Sequence, residues 1–184
     1  MKRIRSWIIF LLGVAAVGAA QAEKADASKP TNIEANQMAY DDVKQINTFT
    51  GNVVLVRGTL TMKADRMVVM QDPAGYQYAT LYAKPGAKTT FRQKRDGGPN
   101  LWIEGEAADR IEYDNKSEVA KLYGNARVRL LDGTKPTDEV EGEFISYDSK
   151  QEFYSVNNTT SGPSRAGAGR IRATIQPRNE AKAP

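Results

Sequence analysis

The chain has 184 residues, with 26 Lys and Arg against 22 Asp and Glu, and neither His nor Cys. That length suits one domain. The missing residue types exclude disulfide frameworks, zinc ribbons, iron–sulfur ligation, thiol catalysis and any Ser-His-Asp triad.

The positive surplus sits at the two ends. Residues 1–22 hold three basic side chains and no acid, and residues 163–184 hold five basic side chains and one acid. Between them lie 18 basic and 21 acidic side chains. A nucleic-acid groove needs a positive face on the folded part, so no nucleic-acid partner is expected.

The first 22 residues read as a cleaved secretory signal. Lys2, Arg3 and Arg5 precede an apolar run from Trp7 to Ala19, and Ala20-Gln21-Ala22 supplies a small-x-small cleavage site. The run is shorter than the roughly 20 apolar residues of a spanning helix. Glu23 to Pro30 is polar and reads as a flexible lead-in before a domain over residues 31–175.

From Thr31 onward the chain alternates. Phe49, Val53 and Leu55 share one parity, Leu60 and Met62 alternate with Thr59, Thr61 and Lys63, and Ala126, Val128 and Leu130 alternate with Asn125, Arg127 and Arg129. Period two over many short runs predicts half-buried strands. Breaks fall at Arg57-Gly58, Asp72-Pro73, Pro85-Gly86, Gly97-Gly98-Pro99, Asp132-Gly133 and Gly162-Pro163. Arg170 to Ile175 reads as a last strand, Gly162 to Gly169 as a flexible exit, and residues 176–184 as a disordered basic tail. The domain is predicted to be all-β.

An internal repeat organises it. A shift of 73 residues, without gaps, lays Ala35 on Ala108, Tyr40-Asp41 on Tyr113-Asp114, Phe49 on Leu122 and Gly51-Asn52 on Gly124-Asn125. Ile145-Ser146-Tyr147-Asp148 is a weaker echo. Each unit predicts a strand, a turn opened by the Asp, and a return strand, and stacked units bury an apolar face that one cannot bury alone. The Gly-Asn pairs predict bulges or tight backbone approach.

The candidate chemistry is thin. Glu104 and Glu106 would share a strand face about 7 Å apart, within the roughly 5–10 Å of a glycosidase pair. No aromatic sugar platform accompanies them, so they read as an ordinary outer face. The acidic run to Asp114 lacks the loop pattern of a calcium site, and Gly167-Ala168-Gly169 lacks the strand–loop–helix context of a dinucleotide site. No metal, cofactor or catalytic residue is expected. The set expected to face inward includes Met38, Met62, Met67, Phe49, Phe91 and Phe153, and both a filled core and an apolar trough satisfy the pattern.

Phe49-Thr50-Gly51-Asn52-Val53-Val54, then Gly58-Thr59-Leu60 and Ala64-Asp65-Arg66-Met67-Val68-Val69, resembles the repeat of the OstA-like family of periplasmic lipopolysaccharide-transport proteins. The resemblance covers about residues 31–157. It implies an antiparallel, V-shaped β-jelly roll built from repeated hairpins, with an apolar interior open along one side. Copies would join head to tail through edge strands into a bridge between inner and outer membranes. Lipopolysaccharide acyl chains would lie in the trough.

On that resemblance and on parity, Ile33, Met38, Tyr40, Phe49, Leu55, Met62, Phe91, Ile111, Tyr113, Val128 and Ile145 are expected to face lipid. An inner-membrane transport complex would meet the N-terminal edge, and an outer-membrane translocon the C-terminal edge. The alternatives are an inner-membrane-anchored sibling of the same fold, or an exported β-sandwich enzyme acting on polysaccharide through Glu104, Glu106 or Asp109.

Overall fold

The computed structural model describes residues 25, 26 and 28–177. The expected signal peptide and residues 178–184 of the expected tail lie outside the described residues. Twelve strands follow in order: β1 Asn32–Glu34, β2 Gln37–Asp41, β3 Ile46–Arg57, β4 Leu60–Gln71, β5 Gln77–Tyr82 and β6 Thr89–Lys94. Then come β7 Leu101–Ala107, β8 Arg110–Asp114, β9 Val119–Asp132, β10 Lys135–Asp148, β11 Phe153–Asn157 and β12 Arg172–Ile175. All pairings are antiparallel.

Four long strands, β3, β4, β9 and β10, each change partners midway. Their first or second halves form one sheet with the order β2–β3–β4–β5–β8–β9–β10–β11. The other halves form a second sheet with the order β1–β3–β4–β6–β7–β9–β10–β12. This is the jelly-roll plan of two layers enclosing one apolar interior. Within this chain the layers end in β1 and β2 on one side and in β11 and β12 on the other.

The sequence repeat builds this plan. Asp41, Asp114 and Asp148 each open the turn between two strands, their Oδ1 atoms accepting backbone N–H groups of Lys44 at 3.0 Å, Lys116 at 2.8 Å and Gln151 at 3.0 Å. Four residues on, Gln45, Glu118 and Glu152 take φ of 53°, 59° and 49°. The Asp side chain stands in for a backbone acceptor, which lets the chain reverse.

The Gly-Asn pairs are bulges. Pairing of β3 with β4 skips from Thr50 to Val53 against Arg66 to Ala64, and β9 shifts against β10 at the matching place. Gly51 and Gly124 have φ of 81° and 77°, followed by Asn52 at 50° and Asn125 at 41°. The extra residue bends the strand from one sheet into the other.

It also decides parity. On β3 the buried residues stay odd-numbered, Phe49, Val53 and Leu55, and on β9 the core residues stay even-numbered, Leu122, Ala126 and Val128. The partners lack the extra residue and invert instead: Leu60 and Met62 give way to Met67 on β4, and Val140 gives way to Ile145 on β10.

Three expectations change against the structure. Phe153 was placed inward but is 62% exposed. It pairs with Asp148, whereas Tyr147 pairs with Tyr154, so the Asp148 turn packs the half-buried Tyr154 and Val156 against the core. Gly162 to Gly169 is not an exit, because β12 returns to pair with β10, and Asn158 Nδ2 pins the loop by donating to Arg165 O at 2.9 Å and Gly169 O at 3.0 Å. Asp26, in the supposedly flexible lead-in, is 2% exposed and accepts hydrogen bonds from Thr59 N at 2.7 Å, Thr59 Oγ1 at 2.6 Å and Gln93 Nε2 at 3.0 Å.

The outer face of the second sheet carries a charge ladder that follows strand register. Lys88 meets Glu106 at 2.7 Å, Glu106 meets Arg127 at 3.6 Å, Arg127 meets Glu141 at 2.7 Å and Glu141 meets Arg172 at 3.0 Å. Glu104 joins Arg92, which lies over the Trp102 ring, and Arg129 at 3.0 Å. Opposite charges directly across strands stabilise the sheet.

Candidate functional site

The inner faces of the two sheets are closed along the line of bends. Met67, Leu81, Ile111, Leu122 and Ile145 are each 0% exposed there, and Val128 is 2% exposed. Away from that line the strands run out to two rows of turns, and the space between the rows opens.

Two adjoining clefts occupy it, of about 220 Å³ and about 340 Å³. The first takes Ile33, Phe49, Leu55, Val69 and Ala79, and the second takes Phe91, Ala120 and Tyr147. Leu60, Met62, Arg57 and Tyr113 line both, so the two form one trough with an apolar floor.

Six of the expected lipid-facing residues meet in this trough: Ile33, Phe49, Leu55, Met62, Phe91 and Tyr113. Ile111, Val128 and Ile145 point to the same interior but sit in its closed base. Met38 and Tyr40 lie on edge strand β2, opposite Phe49 and Asn47, and are 57% and 52% exposed. They share the inner face but stand at its rim. Leu60, Ala79, Ala120 and Tyr147 were absent from the expectation. Tyr147 was legible through the third Tyr-Asp echo, and Leu60 through its alternation with Met62.

Phe91 is fixed by a backbone gap opposite it. It pairs with Gly105 on β7 and with Met62 on β4. A Cβ on Gly105 would fall 2.1 Å from Phe91 Cε1, so the ring lies flat over the glycine. Its neighbour Arg92 faces the outside, in the ion pair with Glu104.

Two contacts reach across the mouth. Arg57, at the end of β3, donates from Nη2 to Tyr113 OH at 3.5 Å, with the guanidinium 5.9 Å from the ring centroid. Arg95, just after β6, meets Glu152 of the β10–β11 turn at 3.1 Å. Each joins one sheet to the other.

The carboxylates weighed for catalysis are elsewhere. Glu104 and Glu106 lie on the outer face, each already held by two cations. Partial burial would raise the Glu106 pKa, but Lys88, Arg127 and Arg129 outweigh it and hold the carboxyl below the usual range. A general acid needs the opposite shift. Asp109 pairs with Arg110 at 2.7 Å. Among the described residues no cluster of Asp and Glu is arranged to hold a metal ion.

Residues 32–153 match the family described as LptA/(LptD N-terminal domain) LPS transport protein. The chain is 30% identical over 177 residues to the lipopolysaccharide export system protein LptA of Haemophilus influenzae, covering 96% of this chain and 97% of that protein. It is 32% identical over 127 residues to LptA of Escherichia coli, covering 69% of this chain and 64% of that protein. With the export system protein LptH of Pseudomonas aeruginosa it shares 26% identity over 169 residues, 85% of each chain. The crystal structure of LptH, described as the LptA homologous periplasmic component of the lipopolysaccharide transport device of that organism, superposes with a TM-score of 0.69 at 22% identity. The superposition covers 83% of this chain and 99% of that one, and it supports the jelly-roll fold.

Proposed function

The chain belongs to the LptA/LptD N-terminal-domain family of lipopolysaccharide transport proteins, and we propose that it carries lipopolysaccharide through the periplasm with the acyl chains in the trough between its two sheets. The observation that supports this most directly is the trough itself. It has an apolar floor, charged residues at its rim, and an opening to solvent along the turns. Each buried methylene contributes about 0.8 kcal/mol, so acyl chains in water gain much from such a sheath.

Ile33, Phe49, Leu55, Met62, Phe91 and Tyr113 are the proposed acyl contacts. Met38 and Tyr40 at the rim meet lipid as it passes the N-terminal edge. Ile111, Val128 and Ile145 become contacts where the sheets part. The working unit is the domain over residues 31–175, after loss of residues 1–22, with the lead-in at 23–30 and the basic tail at 176–184. Protomers pair β1 and β2 of one copy with β11 and β12 of the next. Such an edge-to-edge contact does not close on itself and therefore builds a filament. The inner-membrane complex engages the N-terminal edge and the outer-membrane translocon the C-terminal edge. The protein is not an enzyme in this reading.

Photocrosslinking tests it. A photoreactive amino acid replaces Phe91 in one protein and Arg92 in another, and each is irradiated with lipopolysaccharide. The expected result is labelling at Phe91 and none at Arg92. Equal labelling, or none at either site, overturns the trough as the binding site.

A further inference from the structure

We propose that Arg57 is an anion receptor at the mouth of the trough, binding a phosphate or comparable anionic head group of the amphiphile whose chain lies on the apolar floor below. The proposal rests on the trough being the lipid site. Arg57 is only 9% exposed, yet among the described residues no carboxylate stands within ion-pair distance of it. Its Nε is buried with no hydrogen-bond partner, and Nη2 makes a single long bond to Tyr113 OH at 3.5 Å.

The nearby Asp26 carboxylate is committed to Thr59 and Gln93. A nearly buried guanidinium without an anion is costly in an isolated protein. The cost is relieved when a ligand brings the anion, and guanidinium geometry suits phosphate.

The surroundings have the same sign. Arg57 shares its cleft with Lys116 and Lys150 and with one carboxylate, Glu118, which already meets Lys150 at 3.6 Å. The Lys116 ammonium lies 5.0 Å from the Tyr76 ring centroid, and Lys150 Nζ donates to Lys116 O at 2.9 Å. The cleft thus brings positive charge into the same space as Leu60, Met62 and Phe91. That order, apolar floor and cationic rim, is complementary to an amphiphile with an anionic head.

The test compares three probes below micelle-forming concentration: dodecyl phosphate, dodecyl maltoside and inorganic phosphate. Wild-type protein is expected to bind dodecyl phosphate at least about tenfold more tightly than dodecyl maltoside, the range of a hydrogen bond to a charged group. Inorganic phosphate should bind far more weakly than dodecyl phosphate.

Arg57→Gln should lose most of the preference for dodecyl phosphate, and Arg57→Lys should keep more of it. Without ligand, Arg57→Gln should melt no lower than wild type, because an unpaired buried charge has been removed. Should Arg57→Gln fail to fold or melt well below wild type, Arg57 is a structural strut and the proposal is overturned. The exposed Lys116→Gln variant is expected to reduce the preference for phosphate without changing binding of the maltoside.

Undiminished preference in Arg57→Gln, or equal binding of both amphiphiles by wild type, overturns the anion receptor while leaving the trough intact. Inorganic phosphate bound as tightly as dodecyl phosphate overturns the amphiphile as occupant. Binding of neither amphiphile overturns the trough together with the receptor.

Discussion

A methyl group added at Gly51 would fall 2.6 Å from Asn36 Nδ2 and 3.0 Å from Asn36 Cβ, on a backbone with φ of 81°. Gly124, its counterpart in the repeat, approaches Asp109 at 3.3 Å, and Asn36 and Asp109 are themselves counterparts. Gly133 also has a positive φ, 63°, but a methyl there meets open space. Gly133→Ala should therefore cost only the left-handed backbone term, about 1–2 kcal/mol. Gly51→Ala adds overpacking at the bend and should cost about 2–4 kcal/mol. Urea unfolding with unchanged slope checks both; equal losses would mean that the approach to Asn36 does not matter. The repeated Gly-Asn and Tyr-Asp pairs made this residue-scale architecture legible, since few side chains suit the positive φ of the bulges and the Asp supplies the acceptor that each turn needs. Arg57 was not legible. A basic residue before a Gly-Thr hairpin reads as surface, and nothing local signals its contact with Tyr113, 56 positions away.

At the scale of strands, alternation located the elements well because it reflects local burial. The faces were harder. Met62 and Met67 differ in parity yet both point inward, because β4 passes from one sheet to the other between them. Phe153 failed for the same reason: its face is set by register against β10, a non-local property. The outer ladder yields a pH prediction at this scale. The folded-state pKa of Glu106 lies below its ordinary 4.5 because Lys88, Arg127 and Arg129 outweigh the opposing effect of burial. A depressed carboxylate contributes stability above its unfolded pKa and loses it as pH falls through the folded value. Glu106→Gln should thus melt below wild type at pH 7, and the gap should shrink as pH falls below about 4.5. The gap should also narrow in high salt, because much of the ladder is solvent-accessible. A melting gap independent of pH would mean that shape, and not charge, makes Glu106 matter.

For the whole molecule, the proposed function requires a lipid with several acyl chains to fit clefts of about 220 and 340 Å³. Pockets for single small ligands typically span about 300–1,000 Å³, so the trough as it stands has room for little more than one chain. Ile111, Val128 and Ile145 lie sealed at its base, and reaching them requires the two sheets to part. The Arg95–Glu152 pair spans the mouth at 3.1 Å and has Glu152 half exposed, which makes it a weak tie of at most about 1 kcal/mol. Breaking it costs little, whereas a covalent tie in the same place would hold the sheets together. The chain contains no Cys, so Arg95→Cys with Glu152→Cys gives two unique thiols for a short, reducible bis-thiol crosslinker. The locked protein should keep a single dodecyl chain within about twofold of the unlocked affinity, since that chain fits the existing clefts. It should lose lipopolysaccharide binding by at least about tenfold and regain it on reduction, because ligand can draw only on conformations the protein is able to reach. Undiminished lipopolysaccharide binding in the locked protein would mean that the acyl chains lie outside the gap between the sheets, and that the mouth does not need to widen.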